Sequence, residues 1–579
     1  MTHLLQYFPQ LSLRPENLPE LRSLILQLAV EGKLTAEWRK VNLDVEPASE
    51  LLARIEAEKA ALVKAKQIKK SKPLPPVRAE EMPFELPEGW VWCRLGEIGI
   101  INPRNDADES ILAGFIPMKN ISEEYGVEPI PEKRAWGEIK KGYTHFQDDD
   151  VAFAKITPCF QNSKAALFSN LPNGIGAGTT ELHVFRPFIQ NSYSKFVYNI
   201  FKAPRFLSEG EKVMTGSAGQ KRVPKDYFKN YIIALPPLPE QQAIVQTVDA
   251  LLQELDQLQQ RTETRLQLKT DYATAALRRL TTAPAVGPAW DAMAPHFRTF
   301  FDETGNVQSL RAAILQLAVQ GKLTAQWRKA QPGVEPATEL LSRIQAEKAA
   351  LVKAKKIKKE KPLPPVDMDE VPFGVPEGWV WCRLGQVITF LNGFAFKSST
   401  YVADSEYQII RLGNVKNDGL KLDIKQAYVP KEIGESTLAY QILENDILTT
   451  LTGTKGKKDY CYTCIVEAEN VENKTLLLNQ RVGCIRAVER SFPPLLNIFL
   501  KSESLLDQLF ATESGTANQG NIGSGSFKQL IFPLPPLPEQ HAIVQAVEEL
   551  LGLCTALEEA AGRRDVVLGD WVRAVVAGV

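Results

Sequence analysis

Two segments of this 579-residue chain contain residue types that could support catalysis or ligand binding. Cys461 and Cys464 form a single Cys-x-x-Cys pair, which is half of a zinc or redox site, and no second ligand pair stands at a suitable spacing. The stretch from Gly453 to Lys458 is rich in glycine and lysine but lacks the spacing of a phosphate-binding loop. The five histidines are dispersed, with no spacing that implies a cluster with Asp or Ser. The sequence therefore predicts a chain that binds no metal or cofactor and performs no chemistry itself.

Two blocks of the sequence that flank these segments each occur twice in the chain. RSLILQLAVEGKLTAEWRK begins at Arg22, and RAAILQLAVQGKLTAQWRK begins at Arg311. LPPLPEQQAIVQTVDALL from Leu235 likewise returns as LPPLPEQHAIVQAVEELL from Leu534. The inserts between the two blocks barely resemble each other. A fixed frame that carries two different heads indicates a protein that reads two different things at a fixed separation.

Composition limits the class of protein. Apolar residues make up 44% of the chain and charged residues 24%, which are ordinary values for a globular protein. No stretch approaches 18 consecutive apolar residues, no secretory signal is evident at the N-terminus, and the seven scattered cysteines are typical of reduced thiols. We therefore expect a cytoplasmic protein without a membrane span. The net charge of −1 conceals two lysine tracts, 59–72 and 348–361, which taken alone are typical of solvated helix ends.

The first repeated block is predicted to form helices, and the inserts are predicted to contain strands. In both copies a stretch with apolar residues at helical spacing, 21–34 and 310–323, ends near a glycine that suits a C-terminal cap. The next stretch is rich in helix-forming Ala, Leu, Glu and Lys, and Pro-Leu-Pro-Pro ends it. Short alternating runs such as 151–156 and 407–415 predict strands inside the heads. The predicted fold class is α+β, in two pseudo-repeated halves.

The second repeated block opens a long helix in each half. If residues 240–280 form one helix, it spans roughly 60 Å at 1.5 Å per residue, which suits a ruler between the heads. Its apolar residues step by four and three, the spacing of a coiled-coil seam. We predict that the two helices pair as an antiparallel coiled coil if the halves are related by a pseudo-two-fold axis, through Ile244, Val248, Leu251, Leu255 and Leu258 on one helix and Ile543, Val547, Leu550, Cys554 and Leu557 on the other. Residues 281–309, which contain three prolines, are predicted to be a looser connector.

The ordered set of motifs resembles the DNA-specificity subunit of Type I restriction-modification systems. Each head opens with LPEGWVWCRLGE (Leu86–Glu97) or VPEGWVWCRLGQ (Val375–Gln386) and closes with IALPPLPEQQAIV or FPLPPLPEQHAIV before the long helix. NGFAFKSSTY, IIRLGNV, ENDILTTLTG and LLNQRVGCIR in the second head, and DVAFAKITPCFQNSKAAL and GIGAGTTELHVFRP in the first, are similar to target-recognition-domain sequences. The resemblance covers nearly the whole chain.

The resemblance implies that each half carries an α/β target-recognition domain that reads one half of a bipartite, asymmetric DNA site. The helices would set the unread spacer and dock two methyltransferase (modification) subunits, and motor-nuclease (restriction) subunits would complete the restriction enzyme. The complex would methylate adenine at N6, with S-adenosylmethionine, ATP and Mg²⁺ held by the partner subunits. The predicted boundaries are 1–85 for the N-terminal helical frame, 86–236 for the first recognition domain, 237–309 for the central helix and connector, 310–374 for the repeated frame, 375–535 for the second recognition domain and 536–579 for the distal helix.

Candidate contacts to double-stranded DNA lie in polar, glycine-punctuated loops of the heads. In the major groove Asn and Gln pair with adenine, and Arg and Lys pair with guanine, whereas Ser, Thr and Lys also hold phosphates. In the first head the candidates are Lys119, Asn120, Lys155, Thr157, Gln161, Asn162, Thr179, Thr180, Thr215, Ser217, Gln220, Lys221 and Arg222. In the second head they are Lys397, Ser398, Arg411, Asn414, Thr452, Thr454, Lys455, Lys457, Asn479, Gln480, Arg481, Thr516, Asn518, Gln519, Asn521 and Ser524. The tryptophans duplicated with the frame are predicted to be core residues rather than base-stacking residues; they are Trp90, Trp92, Trp379 and Trp381.

Other functions are compatible with parts of the pattern. A two-headed coiled-coil adaptor that binds proteins would show apolar patches and partners insensitive to salt, whereas DNA reading gives a steep salt dependence. A subunit that serves methylation alone belongs to the same class as the leading interpretation. A stand-alone nuclease or methyltransferase would need catalytic motifs that the sequence does not show.

Overall fold

A computed structural model describes residues 17–70, 72–189, 193–217, 219–516 and 518–577, with side chains in the last helix described through Arg564 and at Val566. These residues form two compact units. The first unit contains the chain up to Leu266 together with the helix end from Asp565, and the second contains Gln267 to Arg564.

The first half contains a helical lead-in, a head and a long helix. The elements are α1 (Leu18–Val30), α2 (Ala36–Val41), α3 (Ala48–Lys64), β1 (Val91–Arg94), α4 (Leu95–Ile98), β2 (Gly99–Ile101), β3 (Leu112–Ile116), β4 (Glu132–Ala135), α5 (Trp136–Ile139), β5 (Thr144–Gln147), β6 (Val151–Ala154), β7 (Ala165–Leu167), β8 (Ile175–Gly178), β9 (Leu182–Pro187), α6 (Ser194–Lys202), α7 (Pro204–Val213), α8 (Lys225–Asn230), β10 (Ile232–Leu235) and α9 (Leu238–Thr282), with 3₁₀ helices at Ala79–Glu81, Met118–Asn120 and Pro172–Gly174.

After a helical connector, the second half again contains a helical lead-in, a head and a long helix, with additional short strands in the head. The elements are α10 (Val286–Met293), α11 (Phe297–Phe300), α12 (Thr304–Val319), α13 (Ala325–Ala330), α14 (Ala337–Lys353), β11 (Val380–Arg383), β12 (Ile388–Asn392), β13 (Tyr407–Ile410), β14 (Val415–Lys416), β15 (Gly419–Leu420), β16 (Tyr428–Val429), α15 (Lys431–Ser436), β17 (Ile447–Thr450), β18 (Thr452–Gly453), β19 (Thr463–Ile465), α16 (Ala468–Val471), β20 (Thr475–Leu478), β21 (Val482–Ala487), α17 (Pro493–Phe499), α18 (Glu503–Phe510), β22 (Ser514–Thr516), β23 (Gln519–Asn521), α19 (Ser524–Gln529), β24 (Ile531–Leu534) and α20 (Leu537–Ala577), with 3₁₀ helices at Ala294–His296, Met368–Glu370, Leu384–Gln386, Ser398–Thr400, Leu412–Asn414 and Leu438–Tyr440.

The two heads share the topology of their central strands although their sequences barely resemble each other. The first head adds β5 beside β8, and the second head adds two small sheets, β14-β15 and β18-β23-β22. One sheet has the order β2-β9-β6-β7 in the first head and β12-β21-β17-β19 in the second. A second sheet pairs β3 with β4 and, in parallel, with β8, and β13 pairs with β16 and β20 in the same way. An antiparallel pair, β1 with β10 or β11 with β24, closes each head where the chain enters and leaves it. The prediction of an α+β fold in two pseudo-repeated halves is confirmed.

Strand register fixes which residues are equivalent in the two heads. Val151 pairs with Phe185, and Ile447 pairs with Ile485. On the other side, β2 and β12 pair with the same residues of β9 and β21, Phe185 and Ile485. Because the pairing is the same on both edges, positions in one head can be assigned to positions in the other without any sequence likeness.

The frame is closed by a glycine and a tryptophan in each half. Gly32 ends α1 with a left-handed backbone (φ +69), and the Lys33 amide donates to the Leu28 carbonyl at 2.9 Å. A Cβ atom at Gly32 would lie 2.7 Å from the Trp90 ring, so the ring closes directly on the helix end. Gly321 and Trp379 repeat this contact. Trp90 and Trp379 are buried, which confirms their prediction as core residues, whereas Trp92 and Trp381 are only partly buried.

The predicted seam of the first long helix packs within its own half. Ile244, Val248, Leu255 and Leu258 are buried in one core with α1, and at the remaining step Leu252 is buried whereas Leu251 is only partly buried. The stripe therefore supports the head and frame of its own half, a role that the coiled-coil prediction did not include.

In the second unit the two long helices contribute to a common core. Ile543, Val547 and Cys554 of α20 are buried there, with Leu550 and Leu557 partly buried, and the end of α9 adds Ala273, Leu277 and Leu280 to the same cluster. The antiparallel orientation of the helices stays a prediction.

The connector between the halves is ordered, and its prediction as a looser segment was wrong. It forms α10 and α11, and Met293 and Phe301 are each 1% exposed in the core of the second unit. Asp302 accepts hydrogen bonds from Lys269 of α9 at 2.8 Å and from Arg564 of α20 at 3.0 Å. The segment contains three prolines, yet it forms short helices, and burial of its apolar residues holds it in the core.

Candidate nucleic-acid interface

Three loops meet at one edge of the first head. The Lys155 amide donates to the Glu181 carbonyl at 2.8 Å, which joins the chain after β6 to the β8–β9 turn. Thr157 and Lys221 are joined by two hydrogen bonds of 3.0 and 3.1 Å. Arg222 closes the group through a bidentate ion pair with Glu181, at 2.8 and 2.9 Å. Residues 155–157, 179–181 and 215–222 thus form what we call the loop cluster of the first head.

The second head has an equivalent loop cluster, 451–458, 479–481 and 514–521. The Leu451 amide donates to the Arg481 carbonyl at 3.1 Å, as Lys155 does to Glu181 in the first head. β18, β23 and β22 form a small antiparallel sheet that joins the first and third loops. Lys455 Nζ adds a hydrogen bond of 3.1 Å to the Gly515 carbonyl.

The structure brings most of the predicted contact residues into the two loop clusters. In the first head these are Lys155, Thr157, Thr179, Thr180, Thr215, Ser217, Gln220, Lys221 and Arg222, and in the second head Thr452, Thr454, Lys455, Lys457, Asn479, Gln480, Arg481, Thr516, Asn518, Gln519 and Asn521, with Ser524 just beyond at the start of α19. Two loop positions, 218 and 517, lie outside the described residues. Spacing in the sequence alone did not predict this convergence.

Equivalent positions in the two loop clusters carry different side chains. By strand register Thr179, Thr180 and Glu181 correspond to Asn479, Gln480 and Arg481, because each triplet joins the same pair of strands. Glu181 holds Arg222, so three of the five N–H donors of Arg222 are occupied within the chain, counting the 3.0 Å bond to the Gln220 carbonyl. Arg481 is exposed, and its guanidinium has no hydrogen-bond or ion-pair partner among the described residues. One scaffold therefore presents an engaged acid in one head and a free guanidinium in the other.

One predicted contact residue, Asn414, is structural. It is 1% exposed, its Oδ1 accepts from the Arg411 amide, and its Nδ2 donates to the carbonyls of Lys421 and Ile424 at 2.8 and 2.7 Å. A buried amide with all these bonds made cannot reach DNA, which corrects its prediction. Its counterpart by register, Asn120, donates its Nδ2 to the Ile130 carbonyl at 3.0 Å.

The remaining predicted residues lie away from the loop clusters. Lys119 stands in the 3₁₀ helix after β3, and Lys397 and Ser398 lie at an exposed turn after β12. The Arg411 guanidinium donates to the Lys425 carbonyl and lies over the Tyr401 ring. Gln161 and Asn162 line a cavity of about 640 Å³ against α1 and α9, on the frame side of the first head.

Sequence reasoning missed an ion pair to a buried carboxylate in each head, at the end of the strands opposite the loop cluster. Asp150, at the start of β6, accepts two hydrogen bonds from Arg186 at 2.8 and 2.7 Å, and Asp446, at the start of β17, accepts two from Arg486 at 2.7 and 2.6 Å. Burial raises the pKa of Asp150 to about 6, against the opposing effect of Arg186. The only sequence signal was an Asp before one apolar strand and an Arg within another, in each head.

His183 connects the core of the first head to its third loop. Nε2 lies 2.9 Å from the Val223 carbonyl, which can only accept, so Nε2 carries the proton. Nδ1 then accepts a hydrogen bond from the side-chain Nδ2 of Asn102 at 3.1 Å. Burial of the ring lowers the pKa of His183 to about 4. The neutral imidazole is therefore the form that the fold accommodates.

We expect protonation of His183 to lower the stability of the first head between pH 7 and pH 5, against the opposite effect of Asp150, whose pKa is raised. The unfolded chain takes up the proton near pH 6.5, whereas the folded chain takes it up near pH 4, so stability present above pH 6.5 is lost as pH falls. The loss at pH 5 is about 2 kcal/mol in the free energy of unfolding. Urea unfolding of the wild type and of His183→Gln at both pH values measures it. Equal pH dependence in the two proteins would contradict the assignment.

The structure also bears on three other features: a membrane span, a metal site and the Cys-x-x-Cys pair. Among the described residues no helix is long and apolar enough to cross a membrane. Within the same ranges no group of three or more His, Cys, Asp or Glu is placed to hold a metal ion. Cys461 and Cys464 are buried, and burial raises the pKa of their thiols to about 12 and about 11.

Two heads that share the topology of their central strands, each with its own set of polar loops on a duplicated helical frame, define a class of bipartite recognition proteins. The model of the Type I restriction modification DNA specificity domain matches residues 87–268 and 376–564, one stretch in each half. The chain therefore belongs to the family of Type I restriction-modification specificity subunits, and it has two recognition domains.

Individual relatives agree with this family. The chain is 43% identical to the Type I restriction enzyme EcoAI specificity subunit of Escherichia coli, over 93% of this chain and 90% of that protein. It is 40% identical to the EcoEI specificity subunit of Escherichia coli over the same shares. The crystal structure of the HsdS subunit from Thermoanaerobacter tengcongensis aligns with 86% of this chain and 98% of its own, at 18% identity and a TM-score of 0.44.

Proposed function

We propose that each head reads one half of a bipartite, asymmetric site in double-stranded DNA through its loop cluster. The observation that carries this proposal is the difference between the clusters at equivalent positions, such as Glu181 and Arg481, on one common scaffold. Polar loops joined by backbone hydrogen bonds hold their side chains at fixed positions, as recognition of base edges requires. Different side chains at equivalent positions then give different half-sites.

The rest of the complex follows from this role. The long helices fix the separation of the heads and so the unread spacer, and they dock two methyltransferase subunits. S-adenosylmethionine is held by those subunits, and ATP and Mg²⁺ by motor-nuclease subunits, so this chain is non-catalytic. The target adenine is methylated at N6 after it is flipped out of the duplex into the methyltransferase. We place the complex in the cytoplasm, with the host DNA.

Methylation mapping tests the proposal. The chain is co-expressed with its methyltransferase subunit, and N6-methyladenine is located across the host genome by long-read sequencing. A split motif, with two short half-sites and unread bases between them, is the expected result. No new methylation from a well-expressed complex with an intact methyltransferase would favour the protein-binding adaptor instead.

Arg481→Ala should relax the motif at one base pair of one half-site. An exposed, unpaired guanidinium is suited to bidentate contact with guanine, and each such contact is worth about 1–3 kcal/mol of discrimination. The same methylation map should therefore show methylated sites that differ from the wild-type motif at one position of one half-site. The other half-site should stay unchanged. Arg486→Ala is unsuitable as a control because it would leave the buried Asp446 carboxylate without its partner. Lys431→Ala, on an exposed helix of the same head, should leave the motif unchanged. Relaxation in both half-sites would contradict independent reading.

A further inference from the structure

Two repeated lysine-rich segments are not used by the loop clusters. We call them the lysine arms: residues 64–72 at the end of α3 and residues 353–361 at the end of α14. Their exposed lysines are Lys64, Lys66, Lys69, Lys70 and Lys72 in the first arm and Lys353, Lys355, Lys356, Lys358, Lys359 and Lys361 in the second. Among the described residues none of these lysines forms an ion pair within the chain. Glu360, the one acid in the arms, is paired with Lys348 and Lys528.

The helix ends alone do not account for this charge. The helix dipole favours cations only within the last turn, whereas α3 ends at Lys64 and the lysines continue to Lys72. Lys66 and Lys355 have left-handed backbones, with φ of 59° and 57°. This is the position after a helix at which glycine is favoured. Lys66 and Lys355 thus occupy a backbone conformation that is unfavourable for a residue with a Cβ atom.

The arms are fixed next to the element that follows each third loop. Arg94 donates to the Pro75 carbonyl at 2.8 Å, just beyond the first arm, and to the Asn230 carbonyl at 2.7 Å, at the end of α8. Arg383 makes the equivalent bonds to Pro364 and Gln529. α8 has six residues, so it spans roughly 9 Å, and it begins shortly after the loop that ends at Arg222. In each half, one short helix therefore connects the third loop to the residues that hold the segment after the arm.

The composition of the first arm suits a polyanion better than a protein surface. Its apolar residue, Ile68, is partly buried and packs against the core of the first unit, as does Leu62 before it. The other described residues of the arm, 64–67, 69, 70 and 72, are exposed and are lysine, alanine and glutamine. Protein interfaces bury an apolar centre and are depleted in lysine, whereas phosphate contacts need flexible cations without fixed geometry.

We propose that the two lysine arms bind the phosphodiester backbone of the DNA whose half-sites the heads read. The proposal rests on the DNA-reading function proposed above. Each lysine that neutralises a phosphate releases counterions, so the arms add affinity that depends steeply on salt and not on base sequence. The loop clusters would choose the site, and the arms would hold the duplex beside it.

The test uses the full-length chain in complex with its methyltransferase subunits. Lys69, Lys70 and Lys72 are changed together to Gln, and duplex affinity is measured between about 50 and 200 mM salt. The slope of log affinity against log salt should become shallower by about two to three, since each lost phosphate contact removes roughly 0.9. Cognate and scrambled duplexes should lose affinity by the same factor. A matched control changes Lys40, Lys133 and Lys141, which are exposed elsewhere in the same unit, and should leave the slope near the wild-type value.

Other outcomes overturn the proposal. An unchanged slope in the arm variant means that the arms do not contact DNA. Loss of the methyltransferase subunits from the purified complex, with the slope unchanged, means that they dock protein. Equal slope changes in the arm and control variants mean that net charge, not the arms, is responsible. Wild-type protein that binds both duplexes equally would contradict sequence reading by the heads, yet a shallower slope in the arm variant would still support the arm contacts.

Discussion

A chain in which residues 97–230 are replaced by its own residues 386–529 should lose one half-site completely and recognise the other one twice. The junctions suit this exchange because each head is closed by the same antiparallel strand pair, in which Val91 pairs with Leu235 and Val380 with Leu534. The heads also contact their frames in the same way: the Gln27 side chain accepts from the Arg205 amide, and Gln316 accepts from the Ser504 amide. The graft therefore meets a frame that already fits it.

Methylation mapping of this chimera also tests the arrangement of the halves. A pseudo-two-fold relation gives an inverted repeat of the second half-site, whereas a relation by translation gives a direct repeat. The reciprocal chimera, with 97–230 in place of 386–529, is the matched control and should duplicate the first half-site. A folded chimera that still methylates the original asymmetric motif would show that these residues do not determine the half-sites.

Glu240→Ala should destabilise the first unit by about 3–5 kcal/mol, because it breaks a buried charge cluster. Glu240 is 1% exposed, and its carboxylate accepts hydrogen bonds from Thr35 at 2.6 Å, from Trp90 Nε1 at 2.8 Å and from Arg39. The substitution leaves a half-buried guanidinium and two buried donors without their acceptor, and each unmet group retains its desolvation cost. Urea unfolding of the full-length chain measures the effect.

Two further variants calibrate this result. Glu539→Ala removes the same acceptor in the second unit, where Thr324, Trp379 and Arg328 take the equivalent places, and should cost a similar amount. Asp256→Ala removes only a half-exposed ion pair with Arg22 and should cost less than about 1 kcal/mol. A loss for Glu240→Ala as small as that for Asp256→Ala would show that the cluster does not hold the frame.

Much of the frame could be predicted from the sequence because its signals are local. Helices are closed by bonds four residues apart, so apolar spacing, proline before the first turn and glycine after the last one indicate them directly. The role of Gly32 at the end of a helix was predicted for this reason. Duplication then multiplied the evidence, since a residue repeated with the frame belongs to the frame.

The connector and the long-helix stripe show where local signals mislead. Three prolines within residues 281–309 indicated a loose segment, yet Met293 and Phe301 are buried in the second unit. The spacing of Ile244 and Val248 indicated a helix with one apolar face, and it could not say which partner covers that face. Both questions depend on residues distant in the sequence, which a local pattern does not contain.

The strand pairing of the heads and the positions of their loops could be established only from the tertiary structure. Strand pairing joins residues far apart in the chain, and its register depends on which side chains the whole sheet can bury. Only the observed register shows that Glu181 and Arg481 are equivalent, that three separate loops meet, and that Asn414 is a buried support. A duplicated helical frame with two unlike heads could be predicted from the residues alone, because helices and repeats depend on residues close together in the chain. The equivalence of those heads, and the residues each offers to a ligand, followed from long-range packing.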